Sequence, residues 1–249
     1  MKFRIVVLTV TLLLGACASD GDVPAGVDLK QAARINTQLG VDYMRKNEMD
    51  LALTKLKRAI DQDPDYALAH STLAFCYTKM GDAEAAEREY RKAMSLEPDN
   101  GQIRNNYGVF LCGQGKVGEA RRMLLDAVRD KGYATPEAAW TNAGVCSRQN
   151  KDEETAEDDF RKALQLNPGF PDALAQMADL TYRHGDYLRA RAFVQRYLAD
   201  NQPTPELLWV ALMTERKLGA LDAARQFEKR LKRDYPESKE AITLKTYKR

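Results

Sequence analysis

The sequence predicts an all-α protein, a right-handed superhelix of six helix–turn–helix repeats. Three observations predict it. Prolines at 64, 98, 168 and 236 lie on a 34-residue ruler, with two extra residues inserted between the second and the third. On that ruler one place reads alanine six times, at Ala52, Ala86, Ala120, Ala156, Ala190 and Ala224. Glycines 81, 115, 185 and 219 keep the same spacing, and Asp82, Asp152 and Asp186 share the next place along. A fixed period of this length marks a solenoid, in which each unit buries its apolar face against its neighbours.

The elements begin with an export signal. Lys2 and Arg4 precede an apolar run from Ile5 to Leu14, well short of the roughly 20 residues that span a bilayer. The run ends in "LLGAC": Leu14, the small residues Gly15 and Ala16, then Cys17. This stretch resembles the bacterial lipobox, in which small residues fit the signal peptidase and the thiol carries a diacylglycerol. Residues 1–16 then form the signal and Cys17 the lipidated end. Several acyl chains hold far better than one, at about 0.8 kcal/mol per buried CH₂. The alternative is an ordinary signal peptide whose cleavage site lies near a cysteine. Ala18 follows the cysteine where an aspartate retains enterobacterial lipoproteins in the inner membrane, so the expected location is the outer membrane. Residues 17–30 are polar, contain glycine and proline, and read as a tether.

The repeats follow within 31–238, at about 33–66, 67–100, 101–134, 137–170, 171–204 and 205–238. The eighth place of each, mid-way along its first helix, is Gly40, Ala74, Gly108, Gly144, Ala178 and Leu212. The twentieth place, on the second helix, is always alanine. Small residues at both let the paired helices cross closely, and Leu39, Tyr43, Leu73, Tyr77, Tyr90, Tyr107, Leu111, Trp140 and Phe160 supply the bulk around them. The turn glycines end first helices in the left-handed region. The aspartates that follow cap the second helices. The insertion falls at Asp130–Glu137, a longer loop between repeats three and four. Tyr197, Gln202 and Leu212 make the last two repeats irregular, and residues 239–249 are expected to cap the array. Period, small places and turn glycines together are those of the tetratricopeptide repeat.

Such a chain binds. Its 38 basic and 36 acidic residues nearly balance, unlike the basic footprint that holds a phosphate backbone, so no nucleic-acid partner is expected. The two histidines, His70 and His184, lie more than three repeats apart. No phosphate loop, metal-ligand spacing or nucleophile grouping appears. Acidic pairs such as Glu153–Glu154 and Asp158–Asp159 read as solvated helix faces. No enzyme, cofactor or small-molecule substrate is expected.

Places two, five, nine, twelve and thirteen of a repeat face the inner wall. The ninth is Val41, Phe75, Val109, Val145, Asp179 and Met213, with Met44 and Leu68 near the N-terminal end. The expectation is an apolar strip through the first four repeats that grips an amphipathic helix or strand. The alternative is that these side chains only pack between neighbouring first helices. Thr37, Val41, Gln102 and Asn106 stand where a carboxylate clamp needs Lys and Asn, so chaperone tails are not the expected ligand.

Beyond Cys17, an exported chain must account for three more cysteines. Cys76 and Cys146 share the tenth place, which is normally buried. Cys112 stands at the twelfth and can reach either adjacent repeat. The favoured pair is Cys112–Cys146, which staples repeats three and four across the insertion and contributes roughly 3–4 kcal/mol by loop closure. Cys76 then remains a buried thiol. The alternative is three unpaired core cysteines.

A lipobox, a short tether and six such repeats resemble the type IV pilus biogenesis/stability lipoproteins, the pilotins of the pilus secretin. The likeness rests on "RINTQLGVDYMRKNEMDLAL", "NNYGVFLCGQGKVGEA", "ALAQMADLTYRHGDYLRAR" and "LKRDYPES", and spans the mature chain. The resemblance implies a lipid-anchored protein on the periplasmic face of the outer membrane. It would bind the secretin subunit through its N-terminal repeats and promote that subunit's localisation and multimerisation. Cys17 matches the family's lipidated cysteine, and Cys112 and Cys146 match its paired cysteines. Alternatives are an adaptor for another envelope machine, such as peptidoglycan synthesis, or a regulator that docks an envelope enzyme.

Overall fold

The structure, a computed structural model, describes residues 28–246. Cys17 and the signal lie outside the described residues. The described chain is helical throughout, six antiparallel pairs and a final single helix. The pairs are α1 (Leu29–Arg45) with α2 (Met49–Gln62), α3 (Ala67–Met80) with α4 (Ala83–Leu96), and α5 (Gly101–Gly113) with α6 (Val117–Arg129). Then come α7 (Pro136–Gln149) with α8 (Glu153–Leu166), α9 (Pro171–Arg183) with α10 (Tyr187–Asp200), and α11 (Pro205–Lys217) with α12 (Leu221–Asp234). The last is α13 (Lys239–Thr246). This is an all-α tetratricopeptide-repeat superhelix. The first helix starts at Leu29, with the Asp28 carboxylate accepting from the Lys30 and Gln31 N–H groups. Helix therefore begins inside the stretch assigned to the tether.

The small places explain each pair. All six alanines of the twentieth place are buried. A Cβ on Gly40 would lie 2.6 Å from Leu56 Cγ, one on Gly108 2.7 Å from Leu124 Cγ, and one on Gly144 2.5 Å from Phe160 Cε1. In these three repeats the large residue of the second helix thus occupies the volume that a methyl on the first would need. The four turn glycines have φ between +72° and +82°. In repeats one and four, Asn47 (φ 61°) and Lys151 (φ 62°) take that conformation instead. Asp82, Asp152 and Asp186 cap α4, α8 and α10, accepting from Ala85, Thr155 and Arg189 N–H.

Neighbouring repeats pack asymmetrically. Each odd-numbered helix of the pairs touches the next odd-numbered one, and each even-numbered helix touches the first helix of the next repeat. The odd row is therefore the inner wall of the curve. At the far end, Leu212 stands where other repeats carry a small residue. It joins Leu208, Ala224 and Leu231 in a cluster closed by Ala241 and Leu244 of α13.

The insertion loop is tied back to the array. Asp130 accepts from Gly101 N–H and Gly132 N–H, both at 2.8 Å, and these bonds hold its carboxyl below the usual carboxylate range. One acidic residue departs from expectation. Asp159 is not solvated: its side chain is 1% exposed and pairs with Arg121 of the preceding repeat at 2.5 Å. Arg121 also donates to Ser147 Oγ at 2.6 Å. A carboxylate on a second helix is buried when the preceding hairpin supplies a guanidinium, a relation that is invisible within one repeat.

Candidate protein-binding groove

The ninth places of α3, α5 and α7 meet on the inner wall. Phe75, Val109 and Val145 line a cavity of about 500 Å³ together with Lys79, Asn106 and Asn142. Phe75 is 37% exposed and Val109 41%, while Val145 is half-buried. Two aromatic residues of the lining, Tyr90 and Phe110, belong to a ring cluster. Tyr90 and Tyr107 stack at 5.3 Å between centroids, and Phe110 lies 5.3 Å from Tyr90. Burial pushes the Tyr90 hydroxyl well above its ordinary pKa. The three rings are in mutual contact, so Tyr107 supports the two that line the cavity.

The disulfide stands beside this cavity. Cys112 of α5 and Cys146 of α7 are bonded, with their Cα atoms 5.7 Å apart, and Cys112 is part of the cavity lining. The link joins two inner-wall helices on either side of the insertion. Cys76 is free and buried, and its thiol is pushed up in pKa by burial and then by Asp50.

The other expected strip residues lie elsewhere. Val41 is half-buried on α1 and outside this lining. Met44, in the last turn of α1, packs against the cluster of Ala52, Leu56, Leu73 and Cys76. Leu68, in the first turn of α3, packs against Ala67, Ala93 and Ile103. The apolar strip expected over four repeats is therefore continuous over repeats two to four. Past Val145 the wall turns polar. Asp179, at the ninth place of repeat five, pairs with Arg148 at 2.6 Å and Arg183 at 3.0 Å. Met213, at that place in repeat six, is buried.

Sequence reasoning missed a second apolar surface. Ile35 and Leu39 on α1 are 52% and 37% exposed. The residues equivalent to Ile35 in later repeats, Ala69, Ile103, Ala139, Ala173 and Leu207, are all buried. The signal was available: among the described residues no repeat precedes the first to cover its third and seventh places.

Neither histidine enters the groove chemistry. His70 lies 2.6 Å from Glu89 Oε2 and 3.0 Å from the Pro64 carbonyl, a structural bridge. His184 lies 2.8 Å from Glu153 at an exposed turn. Among the described residues no helix is long and apolar enough to cross a membrane.

Comparison with known proteins places this geometry. Two tetratricopeptide-repeat families match, one over residues 43–91 and 147–215 and the other over 77–130 and 111–171. The type IV pilus assembly protein PilF of Pseudomonas aeruginosa is 32% identical over 232 residues, 91% of each chain. The crystal structure of PilW, described as a widely conserved type IV pilus biogenesis factor, superposes with a TM-score of 0.73 at 30% identity. It covers 86% of this chain and 98% of that one. A structure of Pseudomonas aeruginosa PilF superposes with a TM-score of 0.74 at 30% identity, over 88% of this chain and 99% of its own.

Proposed function

The chain belongs to the tetratricopeptide-repeat family of type IV pilus assembly proteins, and from that premise we propose that it is an outer-membrane lipoprotein adaptor for the pilus secretin. It binds the secretin subunit, rides the lipoprotein sorting route to the outer membrane through a lipid on Cys17, and promotes assembly of the secretin multimer there. The observation that carries the binding half is the inner-wall cavity, where Phe75 and Val109 stay exposed in an otherwise packed row of helices. Exposed apolar residues in a concave surface cost solvation until a partner covers them. Val41, Met44, Leu68 and Val145 complete the proposed binding region, Met44 and Leu68 by supporting it from the core rather than by contact.

The array does no chemistry in this proposal. Its task is to hold a surface in fixed shape while the acyl anchor sets where that surface sits. Two experiments test the two halves. Phe75→Glu places a charge on the rim of the cavity without touching the helix-pair core. It is expected to keep full helical content by circular dichroism and to reduce secretin capture and secretin multimers in the outer membrane at least tenfold. Undiminished capture removes the cavity from the binding account. Cys17→Ser is expected to leave the repeats folded and shift the protein from the outer-membrane fraction to the soluble periplasm. A mutant that still fractionates with the membrane shows that lipidation is not the anchor. Deleting the gene discriminates among machines: lost twitching motility with fewer secretin multimers supports the pilus role, whereas normal twitching with altered cell shape points to an adaptor for peptidoglycan synthesis.

A further inference from the structure

We infer that repeats two to four hold the partner as an extended segment, its backbone paired with the side-chain amides of Asn106 and Asn142. One apolar residue of that segment, flanked by an acidic one, enters the cavity between Phe75, Val109 and Val145. The inference rests on the protein-binding role proposed above and specifies the chemistry of what is bound.

The first observation is a run of polar side chains along the inner wall. Asn106 Nδ2 donates to Ser71 Oγ at 3.3 Å, and Asn142 Nδ2 donates to Asn105 Oδ1 at 2.9 Å. The run links α3, α5 and α7, and Asn106 and Asn142 both line the cavity. Asn106 Oδ1 also accepts from Asn105 Nδ2 at 3.5 Å. A carboxamide has two N–H donors and an oxygen with two lone pairs, so Asn106 keeps one N–H and one lone pair, and Asn142 one N–H and its oxygen, to pair with a peptide group. A helical partner satisfies its own backbone groups and leaves these amides unused. An extended partner presents free N–H and C=O groups along its length and uses them.

The second observation is charge. Lys79 is the one charged side chain that lines the cavity. Its ammonium sits over the Phe75 ring, 5.3 Å from the centroid, and among the described residues it has no carboxylate partner. A cation held over the apolar slot, with no acid in the lining, complements a carboxylate next to the residue that fills the slot. Further along, where carboxylates line the wall, Asp179 is already paired with Arg148 and Arg183. The acidic preference therefore belongs to repeats two to four.

The third observation is continuity. Asn106 also lines a cavity of about 550 Å³ beside the insertion loop, and Val145 and Gln149 also line one of about 500 Å³ toward repeat six. The three follow one another along the inner helices, each sharing lining residues with the next. Packed helices stand about 8–10 Å apart, so α3, α5 and α7 together span roughly 20 Å. Six residues of extended chain, at about 3.3 Å each, cover that distance.

The test pans a phage-displayed library of random ten-residue peptides on the full-length protein in detergent, then measures enriched peptides by fluorescence anisotropy. The expected peptides carry a large apolar residue within two positions of Asp or Glu, and bind as well with a proline placed just outside that pair. Lys79→Glu is expected to weaken them at least tenfold while keeping the melting temperature, and to favour versions with Lys in place of the acid. Peptides with apolar residues at helical spacing that lose binding on proline insertion overturn the inference. So does an unchanged charge preference in Lys79→Glu, or no enrichment at all. A concentration-dependent dimer dissolved by Phe75→Glu would make a second copy the occupant and also overturn it. A parallel capture of intact pilus secretin separates the two levels. If wild type and Lys79→Glu capture it equally, this inference falls and the pilus role stands. If the peptides behave as expected and wild type captures no secretin, the groove chemistry stands and the secretin reading falls.

Discussion

Gly144 faces Phe160 with no room for one more carbon, and that single contact sets the distance between α7 and α8. A Cβ there would stand 2.5 Å from the ring edge and 3.0 Å from the Ala156 carbonyl oxygen. Neither neighbour can yield: Phe160 is fully buried and the carbonyl is backbone. Gly144→Ala is expected to destabilise the protein by roughly 1–3 kcal/mol, the range for overpacking a tight core, read as a lower urea midpoint at unchanged slope. Gly118, on α6, is the control, because a Cβ there meets nothing within 4 Å. Gly118→Ala, in the first turn of α6, is expected to leave stability unchanged or raise it by up to about 0.5 kcal/mol through helix propensity alone. If both substitutions move stability the same way, packing does not explain the glycine at the eighth place. The same scale shows where one repeat's sequence misleads. Asp158 and Asp159 look alike in sequence, yet Asp159 is sealed under Arg121 of the neighbouring hairpin. Only the stacking of repeats reveals that partner.

At the scale of the helix and its ends, the ruler carries nearly all the information, since capping and crossing depend on residues within one repeat. Turn glycines 81, 115, 185 and 219 sit left-handed as expected, and the three aspartates cap. Lys151 is the exception that tests the rule. It holds φ at 62° with a Cβ and no side-chain group of the Asn type to ease it. Lys151→Gly is expected to raise stability by about 1 kcal/mol, measured as a higher midpoint of the transition that melts α7 and α8. No gain would mean that neighbouring contacts already compensate the strain. What the ruler does not carry is the fate of residues at the edges of elements. Met44 and Leu68 occupy inner-wall places by count, yet they lie in a last and a first turn and fold onto the hairpin cores. Ile35 and Leu39 occupy core places by count and are exposed because no described repeat stands before them. Counting within a period assumes neighbours on both sides, and fails where one is missing.

Over the whole molecule, stability is close to a sum of repeat and neighbour terms, so a weak junction can open without unfolding the ends. The junction between repeats three and four is where the ruler slips by two residues. It is also where the cross-links gather: the Cys112–Cys146 disulfide on the inner wall, the Arg121–Asp159 pair toward the outside, and the Asp130 bonds that tie down the loop. The disulfide closes a loop of 34 residues and by chain entropy contributes roughly 3–4 kcal/mol. A double Cys112→Ser/Cys146→Ser variant is therefore expected to lose about that much, and to lose it locally. Hydrogen exchange should quicken in α5 to α8 while α1 and α2, and α11 to α13, keep their protection. Uniform loss along the chain would show that the array melts as one unit and that the disulfide is no junction device. The expected local loss also bears on binding. The groove between Phe75, Val109 and Val145 crosses this junction, and its two halves keep one shape only while α5 and α7 stay side by side. A variant that folds but breathes here should hold its partner more weakly, through faster dissociation, with every contact residue still in place.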